Sequence, residues 1–283
     1  MRGMERTAIN CLIDAALLSR ECGGAFDVRA VAETDSTNLR LMNEPFGAAI
    51  ARPRLMSADH QHAGRGRRGR NWVGDPARSL MMSCAFEREA GPDSPPMTGW
   101  PIAVGVAVAE ALSPWLGDLQ LKWPNDLQRA GRKCGGILIE TRRQPLSART
   151  AIERVVVGTG FNLRVDAAMR DSIDQPVAGL FDDVELPPRE QVAGRIACSL
   201  LQAWQQFDRQ GLTPFIDRWA RFDALTGQAV LVIEGGTVLL QGVADGVDAS
   251  GALRVLAPDG VHQVTVGDVS VRTAASRHRP AGG

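Results

Sequence analysis

From Phe26 the chain alternates short apolar stretches with turn-forming clusters. "FDVRAVAETDSTN" reads as a strand ending in a polar turn, and "LRLMNE" as a short helix after it. "GAAIARPRLMSADHQ" predicts a second strand, and "SLMMSCAF", nearly all apolar, a third that is buried on both faces. "TGWPIAVGVAVAEALSPWL" is long enough for a buried helix, with Pro101 in its first turn. "LQLKW" and "GGILIE" flank the turn-rich "PNDLQRAGRKC", a strand–turn–strand unit, and "RVVVGTGFNLRV" predicts one more strand. In "PREQVAGRIACSLLQAWQQFDRQG", Val192, Ile196, Leu200, Trp204 and Phe207 recur at helical spacing, so an amphipathic helix is expected, stopped by Gly211. "TPFIDRWARFDAL" predicts a short helix behind it.

After Thr226 the texture changes. Short apolar runs are broken by Gly-Gly, Ser-Gly, Asp-Gly and Gly-Asp, which predicts a small barrel-like β module. The expected fold class is therefore α/β (α+β), a mixed sheet covered by helices with a small SH3-like β-barrel behind it. The expected division is an N-terminal extension with a short helix (1–25), a catalytic domain (26–224), the C-terminal module (225–272) and a disordered tail (273–283).

Composition changes this picture in three ways. Lys+Arg and Asp+Glu both number 32 in 283 residues, so the chain has no net charge and does not look like a general polyanion binder. Five scattered cysteines without a C-x-x-C pair predict reduced thiols and a cytoplasmic protein. No leader or long apolar run is evident, so neither export nor a membrane partner is expected. Among the basic residues only Lys122 and Lys133 are lysines, which suggests that a compact ammonium is needed at those points.

Against that neutral background, "QHAGRGRRGRNW" concentrates arginines on glycines. Gly64, Gly66 and Gly69 free the backbone, and alternating guanidinium forks suit a phosphate or carboxylate, which would order the loop. An arginine–glycine contact to nucleic acid is the competing reading. In "KWPNDL", Lys122 ends a strand, Trp123-Pro124 makes an apolar corner, and Asn125-Asp126 is a turn pair with inward-turning potential. "DSTN" brings Ser36, Thr37 and Asn38 to a strand end, where either Ser36 or Thr37 can also cap the following helix. His60 and His62 have no third ligand near them in sequence and read as ordinary core or surface histidines.

Taken together and in order, "DSTN", the arginine loop, "KWPNDL", "KCGGILIE" and "GTGFN" resemble the biotin–protein ligases over roughly residues 26 to 272. The resemblance implies a two-step ligase that makes biotinyl-5′-AMP from biotin and Mg-ATP and passes biotin to a lysine of a biotin carboxyl carrier protein. It implies biotin contacts from Ser36, Thr37, Asn38, Gln61, Gly64, Arg65, Gly66, Arg67, Lys122 and Trp123. It also implies nucleotide contacts from Arg65, Arg67, Trp72, Asn125, Lys133 and Asn162. Lys122, Arg67 and Asp126 are the implied catalytic set, Asp126 either orienting the amine or helping to hold Mg²⁺; other metal ligands stay open. The chain departs from the family pattern in "VGDPARSL", so contacts between Val73 and Ser79 are not carried over. Some members carry an N-terminal DNA-binding domain; only about twenty-five residues precede the first strand here, so sequence-specific DNA binding is not expected. Lipoate ligases and octanoyltransferases share the catalytic fold but lack this loop and corner. Monomer and homodimer are both compatible with the sequence.

Overall fold

The structure is a computed structural model that describes residues 13–47, 51–72, 74–172, 176–265, 267 and 269–273. Residues 1–12 of the N-terminal extension and all of the expected disordered tail but Thr273, which ends a strand, lie outside those residues. What is described of the extension is one short helix, α1 (Ala15–Glu21), capped by Asp14, whose carboxylate accepts from the Ala16 and Leu17 amides.

A seven-stranded mixed sheet runs in the order β1-β2-β3-β7-β6-β5-β4. β1 (Asp27–Thr34) and β2 (Arg54–Gln61) are parallel, joined through helix α2 (Thr37–Asn43). β3 (Ser79–Ala90), β7 (Ala151–Asn162) and β6 (Arg132–Pro145) form the long antiparallel centre. β4 (Leu119–Lys122) and β5 (Asp126–Arg129) complete the far edge. That edge is closed off by the segment after helix α6 (Thr213–Ala220): Leu121 N donates to Phe222 O at 2.7 Å, and Ala224 N to Leu121 O at 2.9 Å.

β3 outruns its apolar stretch because its charges are neutralised across the sheet. Glu87 sits opposite Arg154 and Arg88 opposite Glu153, and the pairs bond at 2.6 and 2.7 Å. β5 also lies where a plain turn was expected. Ala130 and Gly131 take positive φ, 48° and 70°, and so form a two-residue reverse turn that folds β5 back on β6.

Helices α3 (Trp100–Leu112) and α5 (Arg189–Gln210) cover one face. α3 is buried nearly all round, as its apolar sequence requires, with Pro101 in its first turn. All five expected core positions of α5 are buried, and Trp204 stacks on Phe86 at 5.3 Å and meets Trp100 edge-on at 5.4 Å. Gly211, at φ 64°, ends the helix. A further short helix, α4 (Ala167–Ser172), has no counterpart in the sequence reading.

Beyond Thr226 come β8 (Ala229–Glu234), β9 (Thr237–Val247), β10 (Leu253–Ala257), β11 (Gly260–Val264) and β12 (Val269–Thr273). They form a separate antiparallel sheet in the order β11-β10-β9-β8-β12. Among the described residues β11 and β12 remain its edges, with no pairing that closes a barrel.

Candidate functional site

The C-terminal ends of β1 and β2 bring the "DSTN" turn against Gln61. Ser36 Oγ caps α2 by accepting from Leu39 N at 3.5 Å. Gln61 Oε1 accepts from Thr37 N at 2.7 Å. Ser36, Thr37 and Asn38 are only 2–3% exposed, a degree of burial that polar side chains sustain when they are hydrogen-bonded. Ser83 of β3 lies 2.6 Å from Thr37 Oγ1 and donates to Asn38 Oδ1 at 2.7 Å. Asn38 Nδ2 in turn donates to Glu140 Oε2 of β6 at 2.9 Å.

Two glycines of β7 make room for this arrangement. A methyl group on Gly158 would lie 2.3 Å from Asn38 Oδ1, and one on Gly160 would lie 2.5 Å from the Trp72 ring. The "GTGFN" glycines are therefore sites of close approach, one under the buried amide and one under the indole.

The arginine run folds as a tight loop. Gly66 N donates to Arg70 O at 2.7 Å, Trp72 N to Gly64 O at 2.9 Å, and residues 67–69 make one 3₁₀ turn with Arg68 at φ 58°. Arg65 Nη2 meets Glu140 Oε2 at 2.7 Å. Arg67 Nη1 donates to Asn125 Oδ1 at 3.0 Å, and its Nη2 to Gly267 O at 2.9 Å. Asn125 is itself held, since its Nδ2 donates to Ile137 O at 2.9 Å and its carbonyl accepts from Ile137 N at 3.0 Å.

Across the sheet, Lys122 and Asp126 are register partners at the β4–β5 turn. Lys133 Nζ pairs with Asp126 Oδ1 at 2.6 Å. Among the described residues Lys122 has no hydrogen-bond or ion-pair partner of its own. Burial is the largest influence holding its ammonium below the usual lysine range; Asp126 opposes that shift, while Lys133 and Arg272 reinforce it. A partly buried cation near two others and a single carboxylate, Asp126, is short of negative charge, an environment suited to an anionic ligand. The C-terminal sheet reaches this corner as well: Arg272 and Ser270 of β12 line the same space, and Trp123 Nε1 donates to Gly251 O at 3.0 Å.

These groups line one cavity of about 750 Å³. It brings together Ser36, Thr37, Asn38, Gln61, Arg65, Gly66, Arg67, Trp72, Lys122, Trp123, Asn125, Asp126 and Lys133 of the residues expected from sequence. Gly64 and Asn162 are not in its lining. Gly64 backs the Trp72 carbonyl, where a side chain would collide at 2.5 Å. Asn162 is buried at the end of β7, opposite Ser79. Sequence reasoning missed Ser83, Glu140 and Arg272. Ser83 breaks the apolar run "SLMMSCAF" and Glu140 ends "GGILIE", both visible signals, whereas nothing in the linear order points to Arg272. No three His, Cys, Asp or Glu side chains gather into a metal site among the described residues. Among those same residues, no helix is long and apolar enough to cross a membrane.

Comparison with known proteins agrees with this geometry. The sequence model of the biotin/lipoate A/B protein ligase family matches residues 31–162, and that of the biotin protein ligase C-terminal domain matches 226–272. The bifunctional ligase/repressor BirA of Escherichia coli (strain K12) is 31% identical over 261 residues, 91% of this chain and 77% of that protein. BirA of Salmonella typhimurium is 33% identical over 220 residues, 77% of this chain and 66% of that protein. The biotin–acetyl-CoA-carboxylase ligase of Paracoccus denitrificans is 28% identical over 84% of this chain and 98% of its own length. Among solved structures, the biotin protein ligase of Aquifex aeolicus in complex with biotin and ATP superposes with a TM-score of 0.68 at 22% identity. The match covers 88% of this chain and 99% of that one. The Leishmania major enzyme in complex with biotinyl-5-AMP gives 0.52 at 20% identity, over 85% and 98%. With its paired motifs, its mixed sheet and its separate C-terminal sheet, the chain belongs to the biotin protein ligase family.

Proposed function

We propose that the chain is an ATP-dependent ligase that activates biotin as biotinyl-5′-AMP. It then transfers biotin to a specific lysine of a biotin carboxyl carrier protein, such as that of acetyl-CoA carboxylase. The observation that carries this reading is the division of labour within one cavity. Neutral hydrogen-bonding side chains (Thr37, Asn38, Gln61) line it on the β1–β2 side, and Lys122, Lys133 and Arg67 line it near β4–β6. A molecule with a neutral polar ring at one end and a carboxylate at the other fits that polarity, and the cationic end has charge to spare for a nucleotide phosphate.

In this reading biotin's carboxylate oxygen attacks the α-phosphorus, a new P–O bond forms, and the bond to pyrophosphate breaks. Lys122 neutralises the charge that gathers between carboxylate and phosphate, the kind of contact that a preorganised cation makes better than water does. Arg67, held by Asn125, covers the mixed anhydride, and Trp72 excludes water from it. The carrier's amine then attacks the acyl carbon, and AMP leaves with the anhydride's bonding pair. Mg²⁺ travels with the triphosphate; Asp126 is the sole carboxylate among the described lining residues, which suits an ion held mostly by phosphate oxygens. The catalytic unit is read as residues 26–224 and the C-terminal module as 225–272. The chain acts in the cytoplasm, where its four described cysteines, all free, stay reduced. It acts as a monomer or homodimer and without sequence-specific DNA binding.

The test is exchange of labelled pyrophosphate into ATP, with biotin, lipoate or octanoate as the acid. Biotin alone should support exchange, and a carrier domain should then be biotinylated at one lysine. Exchange supported by lipoate at the rate seen with biotin sinks the assignment.

A further inference from the structure

The hydrogen bonds beneath Thr37 and Asn38 have a direction, and Glu140 sets it. If Asn38 were turned over, its carbonyl oxygen would face Glu140 Oε2 at 2.9 Å, acceptor against acceptor. Glu140, with Arg65 as its counter-ion at 2.7 Å and with the longer Leu138 carbonyl contact at 3.3 Å in support, therefore keeps Asn38 Nδ2 toward itself and Asn38 Oδ1 toward Ser83. Asn38 Oδ1 only accepts, so the single Ser83 proton is spent on it. The 2.6 Å contact between Thr37 and Ser83 then requires Thr37 Oγ1 to be its donor. With that proton committed, what Thr37 Oγ1 offers the cavity is lone pairs. The longer 3.2 Å approach of Thr37 Oγ1 to Gln61 Oε1 gets no proton, and Gln61 is satisfied by the Thr37 amide at 2.7 Å.

We infer that Glu140 is a specificity-positioning residue: by fixing the Asn38 amide it makes Thr37 Oγ1 an acceptor that selects a ring N–H, and through Arg65 it ties that choice to the arginine loop. The inference rests on the biotin reading, since biotin's ureido ring presents two N–H donors and one carbonyl. It names a chemical class of rejected ligand, a ring with an acceptor where the facing N–H belongs. The same Glu140 oxygen ends both the buried relay and the loop's ion pair, so one carboxylate serves recognition and closure.

Glu140→Gln tests this without removing a polar side chain. A glutamine amide donates or accepts, so the shorter of the two contacts that orient Asn38 no longer dictates its direction. With only the 3.3 Å Leu138 carbonyl contact left to favour the original orientation, the turned-over amide and a reversed relay to Thr37 become populated. Biotin and the two carbamate analogues, each with one ring N–H replaced by oxygen, are compared by calorimetric binding. Tryptic cleavage between Arg65 and Arg70 is followed alongside. The wild type should reject one analogue by about tenfold or more, because two acceptors then face each other. In Glu140→Gln that discrimination should fall at least about threefold, and loop cleavage should rise about two- to threefold as Arg65 loses a charged partner. Ser83→Ala should weaken discrimination equally but leave loop cleavage at the wild-type rate, which separates the relay from the loop. Unchanged discrimination in Glu140→Gln overturns the inference, whatever Ser83→Ala does. Biotin binding without pyrophosphate exchange overturns the ligase reading alone, and failure of the wild type to bind biotin overturns both.

Discussion

Arg67 Nη1 donates to Asn125 Oδ1 at 3.0 Å, joining two motifs that stand 58 positions apart. The second arm of the same guanidinium reaches Gly267 O at 2.9 Å, in the turn before β12. One side chain thus fastens the arginine loop to the "KWPND" corner and to the C-terminal module at once.

Arg67→Gly removes both attachments and should let biotinyl-AMP escape the open loop. Escaped adenylate acylates any accessible amine, so a lysine-rich bystander protein should become biotinylated at scattered sites. The enzyme should label weakly, because Lys122 and Lys133 line the cavity and are partly buried. Mass spectrometry of bystander and enzyme reads both; a clean bystander while adenylate still forms removes Arg67 from the clamp.

Lys122→Ala should slow biotin-dependent pyrophosphate exchange by about 10²–10³ with the fold intact, the effect expected for one preorganised charge contact. Burial, the leading cause, with Lys133 and Arg272 in support, holds the Lys122 pKa below the ordinary 10.5. The cation is present below that lowered value and is lost as pH rises through it, so exchange should decline along an alkaline limb centred below 10.5. In Lys122→Arg, residual activity should lose that limb, because a guanidinium stays charged. An identical alkaline midpoint in both proteins argues that another group titrates.

Gly160→Ala sets a methyl group 2.5 Å from the Trp72 ring, so the indole has to shift off β7. Overpacking of this kind costs about 1–3 kcal/mol. Tryptophan fluorescence should report Trp72 moving into water, and adenylate should hydrolyse faster. A normal spectrum and normal adenylate lifetime would mean that Trp72 does not seal the site.

Arg154 is fully buried, and it holds Glu87 together with the carbonyls of Glu44 and Pro45 just beyond α2. Arg154→Met leaves Glu87, among the described residues, with Arg54 alone as an ionic partner and should cost about 3–5 kcal/mol by chemical denaturation. Although burial alone would raise the Glu87 pKa, the Ala51 amide, Arg154 and Arg54 hold it below the usual 4.5. The wild type therefore keeps that contribution above pH 4.5 and loses it as pH falls through the lowered value. Arg154→Met should flatten this acid limb; an unaltered limb would mean that the pairing contributes nothing to stability.

Much of the fold was legible in the chain. Helix α5 follows from five apolar residues at helical spacing, since a one-sided apolar stripe has a single way to leave water. The change of texture at Thr226 marked the second sheet, because closely spaced glycine turns suit short strands and nothing longer. The ends of elements were less legible. β3 continues through Glu87 and Arg88 because their partners on β7 arrive from more than sixty positions away, beyond the reach of local pattern. β5 depended on Ala130 accepting a left-handed conformation that alanine seldom announces.

The sequence by itself determined most of the chemical groups the site has: five motifs whose residue types, in that order, leave few alternatives. Tertiary structure alone decided how they are held. Ser83, Glu140 and Arg272 lie on three strands that are distant in sequence; sheet pairing and the docking of the second sheet bring Ser83 and Arg272 to the cavity, and Glu140 to the Asn38 and Arg65 that line it. The physical reason is that motifs record groups that touch each other locally. The direction of a hydrogen-bond relay, or the charge surrounding a partly buried lysine, is a sum over everything that folding packs around it.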